Sequence, residues 1–87
     1  MQLSGNKHEG SRRLTDLRKG ESGIVDHIEL PEEDARRLME LGFTPGYQVT
    51  RALAAPGGDP RVYQVDGSEI ALRRETATHI RVREAAH

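Results

Sequence analysis

The sequence predicts a mainly β fold, a small closed or partly closed β-barrel of about five short strands with one α-helix inserted after the first strand. Its 87 residues suffice for one small domain with a thin core. Short runs of β-branched residues alternate with polar ones between tight turns, which is typical of strands. One stretch, residues 31–42, has helical spacing instead. Closure into a barrel would also cover the edge strands.

The composition excludes several classes of function. The chain has no cysteine, which removes disulfides, iron–sulfur clusters, thiolate zinc sites and cysteine nucleophiles. The chain has thirteen Lys and Arg and fourteen Asp and Glu, so it has no excess of positive charge to bind phosphates. It has only two Tyr and one Phe, too few to form a surface on which bases stack, so no nucleic-acid surface is expected. The N-terminal residues are polar and no apolar run approaches the ~20 residues that span a bilayer, which predicts a cytoplasmic protein outside the membrane.

The N-terminal segment mixes Gly, Ser, Asn and Lys without periodicity, so residues 1–11 are expected to form a disordered leader. The folded domain is expected to span residues 12–83, with a tail at 84–87. Near the start of this domain, the segment LTDL, residues 14–17, places two leucines around two good helix-capping residues. It therefore predicts a single turn that anchors both leucines in the core.

The first strand is predicted from Ser22 to Ile28 because β-branched residues alternate there with polar ones. One register would bury Asp26, and the other would turn Val25 and His27 inward. A bulge near Gly23 could convert one register into the other. The facing of this strand is therefore left open.

The helix is predicted to begin at Pro31, since proline costs nothing at the first helical position. The acidic residues 32–34 that follow complement the positive end of the helix dipole. Apolar residues then recur at helical spacing and predict a buried face. These residues are Ala35, Leu38, Met39 and, beside them, Leu41.

The stretch LMELGFTPG, residues 38–46, predicts a corner between this helix and the next strand. Gly42 can close the last helical turn with a positive φ that has no Cβ penalty. Pro45 presets φ at the first central position of a type II turn, and Gly46 supplies the positive φ of the second. We therefore assign Gly42, Pro45 and Gly46 to the shape of the chain.

The second half of the chain has the pattern of strands joined by turns. A loop rich in Pro and Gly at 56–60 and an Asp66-Gly67 dipeptide, which favours a type I′ hairpin, separate them. Residues 73–78 are too few and too polar for a core helix. The predicted strands are Val49–Ala55, Arg61–Val65, Ser68–Leu72 and His79–Arg83.

No catalytic motif is present in the sequence. The paired Gly57 and Gly58 are not followed by the lysine of a phosphate-binding GxxxxGK[ST] loop. The segment GESG, residues 20–23, is one residue too short for a GxSxG nucleophile elbow. The protein is therefore expected not to be an enzyme.

The four histidines are the candidate metal ligands, but their spacing is poor. Neighbours in a strand point to opposite faces, so Asp26 and His27 are not expected to share an ion. Glu75 and His79 could share one only if the segment between them were helical. No resident metal or cofactor is therefore expected, and transient binding of Fe²⁺ or Zn²⁺ is left open.

Four segments follow one another in a distinctive order: LTDLRKGESG at 14–23, LMELGFTPG at 38–46, GGDP at 57–60 and VDGSEIALRRETATHIRV at 65–82. In this order they resemble the ferrous iron transport protein A family, FeoA, over nearly the whole predicted domain. The resemblance implies an SH3-like barrel that acts as a cytosolic accessory protein of the Feo ferrous iron uptake system. Its implied partner is the membrane ferrous iron transporter, which carries a cytosolic GTPase domain.

Given this resemblance, the corner is expected to carry the contact with the transporter. The predicted contact residues are Arg37, Glu40, Phe43 and Tyr47, which lie at or near the corner and off the strictest core positions. Exposed charge would steer the encounter and apolar anchors would provide affinity. Either aromatic residue could instead belong to the core, and homodimer formation is left open.

Two other functions stay as alternatives. The same fold occurs as the C-terminal domain of metal-dependent transcriptional repressors, so the first alternative is a stand-alone regulatory barrel related to that domain. The second alternative is a metal-binding protein.

Overall fold

The structure is a computed structural model that describes residues 12–53 and 58–85. Its elements in chain order are β1 Arg12–Arg13, a 3₁₀ turn Leu14–Asp16, β2 Ser22–Ile28, α1 Glu32–Leu41, β3 Gln48–Arg51, β4 Arg61–Val65, β5 Ser68–Leu72, α2 Arg74–Ala77 and β6 Ile80–Glu84. Within these residues, neither helix is long and apolar enough to cross a membrane. The predicted leader at 1–11 lies outside the described residues, whereas β6 extends to Glu84, one residue past the predicted end of the domain.

The six strands form one antiparallel sheet in the order β1-β6-β2-β3-β4-β5. The mainly β class with one principal helix is as predicted, and the sheet is not closed, because β1 and β5 at its two edges do not pair. The sequence predicts about five strands and misses β1, because two arginines carry no β signal. Only pairing with Val82 and Arg81 makes these two residues a strand.

The core draws on every element of the described chain except β1, and its longer strands contribute alternate residues, as expected of a sheet with one buried face. Tyr63 and Val65 of β4 and Ile80 and Val82 of β6 show this alternation. The 3₁₀ turn adds two leucines in the predicted way. The fully buried or nearly fully buried side chains are Leu14, Leu17, Val25, Leu38, Phe43, Val49, Tyr63, Val65, Leu72, Ala77, Ile80 and Val82.

A bulge in β2 resolves the facing that the sequence leaves open. Val25 pairs with Val82 and His27 pairs with Arg81, so Asp26 has no partner of its own on β6. Val25 is fully buried, and both Asp26 and His27 are exposed. The expectation that these two neighbours point to opposite faces is wrong here, because a bulged residue breaks the period of two.

Helix α1 begins one residue later than predicted and is buried over a narrower face. Pro31 is the N-cap, with φ −55° and ψ 151°, and its carbonyl accepts a hydrogen bond from the Ala35 N–H at 2.9 Å. Leu38 is the helix's one buried residue. Met39 is 36% exposed and Leu41 is 47% exposed, so their prediction as core residues is wrong.

The corner after α1 has the predicted turn geometry. Gly42 has φ 120°, and its N–H donates to the Met39 carbonyl at 3.0 Å. Gly46 has φ 96°, and the Tyr47 N–H donates to the Thr44 carbonyl at 2.9 Å, which closes the turn over Pro45. The chain therefore reverses twice within a few residues before β3 begins.

Two predictions for the second half are corrected. Strand β3 ends at Arg51, so the predicted extension to Ala55 is wrong at Leu53, which is 71% exposed. Residues 54–57 lie outside the described part of the chain. Residues 74–77 form the one-turn helix α2, which buries Ala77 completely although the sequence predicts no core helix there. The Asp59 carboxylate caps it by accepting the Arg74 N–H at 2.8 Å, a contact that sequence spacing does not reveal.

Replacing Gly42 by alanine is expected to lower the free energy of unfolding by about 1 kcal/mol or more. Its φ of 120° disfavours any side chain, and an added Cβ would lie 3.1 Å from Val65 Cγ1. Urea unfolding followed by circular dichroism measures the loss.

Two glycines provide graded controls for this measurement. Gly46→Ala keeps an unfavourable φ of 96° but meets no atom within 4 Å, so it should cost less than Gly42→Ala. Gly58→Ala meets no atom within 4 Å either, and its stability should stay within about 0.5 kcal/mol of the parent. Equal stability of the Gly42 and Gly58 variants would contradict the assignment of Gly42 to the corner.

Candidate functional site

The first candidate site is the outer side of the corner, which we call the corner surface and define by Arg37, Met39, Glu40, Leu41 and Tyr47. All five side chains are exposed, and Tyr47 has 46% of its surface accessible. Helical geometry, with about 100° per residue, places Arg37, Glu40 and Leu41 on one face of α1 and Met39 on the far side of the buried Leu38. Apolar side chains thus flank the contact of α1 with the core on both sides.

The turn residues hold Tyr47 beside the end of the helix. The Thr44 hydroxyl donates to the Met39 carbonyl at 3.1 Å, and the Thr44 carbonyl accepts the Tyr47 N–H. The Tyr47 carbonyl in turn accepts the Val25 N–H at 2.9 Å, which joins the corner to β2. The backbone at Tyr47 is therefore fixed while its ring points into solvent.

Phe43 does not belong to this surface, although the sequence predicts it as a contact residue. Its side chain is fully buried, and its N–H donates to the Leu38 carbonyl at 3.0 Å. Of the alternatives left open for the two aromatic residues, the structure places Phe43 in the core and Tyr47 outside. The reversal at Gly42 turns the next side chain inward, and proximity to a predicted turn does not reveal that direction.

Arg37 and Glu40 lie on the exposed helix face, as predicted. Among the residues that the structure describes, neither forms an ion pair. Their charges are therefore available to an external partner. Met39 and Leu41 are the members of the corner surface that the sequence reasoning missed, and their positions on either side of Leu38 on a helical wheel are the signal that could have identified them.

A second candidate is the ionic cluster on the exposed side of the β2 bulge, which consists of Asp26, His27, Glu29, Arg81 and Arg83. His27 Nδ1 lies 2.8 Å from Asp26 Oδ2, and His27 Nε2 lies 3.1 Å from Glu29 Oε2. Arg81 Nε is 3.5 Å from Glu29 Oε2, and Arg83 Nε is 3.7 Å from Asp26 Oδ1. Hydrogen bonds to Asp26 and then to Glu29 raise the pKa of His27, and the hydrogen bond from His27 lowers the pKa of Glu29.

The geometry of this cluster does not suit a metal ion. The two carboxylates bind opposite nitrogens of the imidazole ring, so the three groups do not converge on one point. Within residues 12–53 and 58–85, no group of three His, Asp or Glu side chains is arranged to hold a metal. The arrangement instead favours a protonated imidazole between two anions.

Comparison with known proteins gives a consistent result. The FeoA domain profile matches residues 12–84. A Porphyromonas gingivalis protein, described as an Fe(2+) transport protein A/Fe(2+) transporter FeoB fusion protein, is 33% identical over 70 residues. The match covers 80% of this chain, and the chain spans only 8% of that relative's length.

Solved structures of FeoA proteins share the fold. The solution structure of Chlorobium tepidum FeoA is 31% identical, with a TM-score of 0.76, over 85% of this chain and 70% of that one. The crystal structure of Stenotrophomonas maltophilia FeoA, described as an SH3 domain protein complexed with zinc, is 36% identical, with a TM-score of 0.69, over 80% and 87%. A manganese-dependent transcriptional repressor is 18% identical, with a TM-score of 0.73, over 86% and 42%, which shows similarity of fold alone.

The raised pKa of His27 predicts a small pH dependence of stability. A group whose pKa rises on folding stabilises the fold below its unfolded pKa, and this contribution is lost as the pH rises through the folded pKa. His27→Gln should therefore destabilise the protein near about pH 5.5 and have less effect near about pH 8.5. Because His27 is 51% exposed, the difference should be about 0.5 kcal/mol or less.

Urea unfolding at both pH values measures this effect, and each variant is compared with its own parent. In a background that carries Asp26→Asn and Glu29→Gln, the effect of His27→Gln should no longer change with pH. An effect that grows towards alkaline pH would contradict the proposed pairing.

Proposed function

This chain belongs to the FeoA domain family, and from that premise we propose that it is a cytosolic, non-enzymatic accessory protein that docks on the membrane ferrous iron transporter. The partner is the cytosolic side of that transporter, including its GTPase domain. In this proposal, docking of the chain modulates ferrous iron uptake.

The observation that carries the proposal is the fusion protein of Porphyromonas gingivalis, in which an Fe(2+) transport protein A part and an Fe(2+) transporter FeoB part share one polypeptide. A covalent tether raises the effective concentration of one module near another to about the millimolar range. Fusion therefore preserves a contact that would be weak and transient between separate chains. This supports physical association of the same two partners here.

The corner surface has the chemistry that such a contact requires. Leu41 and Tyr47 are about half exposed, and each offers apolar area that becomes favourable when a partner excludes water. Arg37 and Glu40, which form no ion pair with another described residue, provide charges of opposite sign on the same helix face as Leu41, which can steer and orient the encounter. A small surface of this kind suits a transient contact at the low end of interface sizes.

Docking can alter transport only through differential binding. The corner surface offers a guanidinium, a carboxylate and apolar groups, which contribute binding energy rather than covalent chemistry. A ligand shifts a conformational equilibrium by the difference between its affinities for the two states. The chain would therefore modulate the transporter by binding one of its conformations more tightly than another.

Tyr47→Ser and Leu41→Ser are each expected to weaken binding to the purified cytosolic GTPase domain of the transporter by about tenfold or more, since each removes an apolar anchor. Isothermal titration calorimetry or fluorescence anisotropy with labelled chain measures the Kd.

The double charge reversal Arg37→Glu with Glu40→Arg should reduce ferrous iron uptake in cells, because it exchanges the positions of the positive and the negative charge on the corner surface.

Leu53→Ser is the matched control for these variants. Leu53 is the most exposed large apolar residue of the described chain, at 71%, and it lies beyond the opposite end of β3 from Tyr47. Its substitution should leave both the Kd and the uptake unchanged. If folded Tyr47 and Leu41 variants bind as tightly as the parent, the corner surface is not the docking site. If the parent chain does not bind the domain at all, direct docking there is wrong.

A further inference from the structure

The end of the barrel away from the corner carries two arginines on its inner face. Arg51 at the end of β3 pairs with Tyr63 of β4, and Arg61 lies two residues before Tyr63 on the same strand. All three residues therefore lie on one face of the sheet. The two arginines are diagonal neighbours, whose Cα atoms are typically roughly 7–8 Å apart. Both arginines are partly buried, and Tyr63 is fully buried.

Each arginine uses part of its guanidinium to hold the 3₁₀ turn against the sheet. Arg51 Nη1 donates to the Leu17 carbonyl at 3.0 Å, and Arg61 Nη1 donates to the Thr15 carbonyl at 2.8 Å. A guanidinium has five N–H donors, so one backbone carbonyl satisfies only a fraction of them. The Nε atoms of both Arg51 and Arg61 are buried without a hydrogen-bond partner among the described residues.

No carboxylate of the described chain neutralises this pair of charges. Among the described residues, the arginines that form ion pairs are Arg12, Arg81 and Arg83, and neither Arg51 nor Arg61 is one of them. Nearby carboxylates are engaged elsewhere: Asp16 accepts the Arg13 N–H, Glu21 pairs with Arg12, and Asp59 accepts the Arg74 N–H. The four undescribed residues between β3 and β4 are Ala-Ala-Pro-Gly and carry no charged side chain.

Tyr63 lies on the same face as the two arginines. Its hydroxyl is buried and forms no hydrogen bond of good geometry among the described residues. Burial raises the pKa of this hydroxyl, and a weak hydrogen bond with Arg61, followed by the charges of Arg61 and Arg51, acts in the opposite direction. Buried polar groups are nearly always satisfied, so the two buried Nε donors, each part of a positive charge that no described carboxylate pairs with, favour an anion as their acceptor.

We propose that Arg51 and Arg61 form a binding site for a phosphate group at this end of the barrel. Two guanidiniums carry a total charge of +2, which matches a phosphate dianion better than a single carboxylate. The planar fork of each guanidinium suits the tetrahedral arrangement of phosphate oxygens. The site is independent of the corner surface and of the proposed docking, so either proposal can fail without the other.

Titration of the ¹⁵N-labelled chain with inorganic phosphate tests the proposal, with the Arg Nε–H resonances observed by NMR. Phosphate should shift the Arg51 and Arg61 signals saturably, and sodium chloride at the same ionic strength should not. Acetate should bind about tenfold more weakly or worse, because a single negative charge gives up one ionic interaction. A parallel titration with guanosine monophosphate identifies the source: tighter binding than inorganic phosphate indicates a nucleotide, and equal or weaker binding indicates free phosphate.

Arg51→Gln and Arg61→Gln remove one charge each, and the shorter amide side chain also gives up the hydrogen bond that Nη1 donates to the 3₁₀ turn. Each should weaken phosphate binding by about tenfold or more, whereas Arg36→Gln, on the exposed face of α1, should leave it unchanged. Because either variant could loosen the turn, the melting temperature of the parent chain is also measured and should rise with phosphate. Absence of a saturable shift in the parent, or equal shifts at all exposed arginines, would overturn the proposal.

Discussion

The fold depends on how the chain enters the core immediately after α1. Phe43 is fully buried because Gly42 takes a φ of 120° and turns the following side chain inward. Burial of a Phe side chain stabilises a fold by roughly 1.5–3 kcal/mol, and a residue with a Cβ would lose about 1–2 kcal/mol of that to strain. With glycine at position 42, the Phe43 side chain is buried without backbone strain, so the helix can end directly against the sheet.

The burial of Phe43 also determines which side of α1 remains exposed. Once Phe43 fills the space beneath the corner, α1 buries only Leu38, and the apolar Met39 and Leu41 stay on its flanks. The same arrangement lets the type II turn deliver Val49 to the core at the start of β3. The exposed apolar groups of the corner surface are thus a direct consequence of the packing that forms the corner.

Residue types that fix backbone geometry made much of this fold predictable. The turn at Pro45-Gly46, the Asp66-Gly67 hairpin and the strands on either side of that hairpin follow from local chemistry and appear as expected. What the sequence did not reveal depends on contacts distant in the chain. β1 exists only through pairing with β6, and α2 is capped by Asp59 from another loop. The candidate site was predictable in place but not in detail, because proximity to a turn does not say which of two aromatic side chains points outward.

The bulge in β2 shows how such distant contacts determine the register of the central strands. A shift of one residue would exchange the inner and outer faces of a strand, so a bulge must be held at one position. Val25 opposite Val82 fixes the buried side, while Asp26 with Arg83 and Glu29 with Arg81 bridge the same two strands on the solvent side. Individual surface ion pairs contribute little stability, about 0–1 kcal/mol each. Because the core contact and the ion pairs all require this register, a slipped register would lose them together, and this gives the charged and titratable residues at the bulge a structural role.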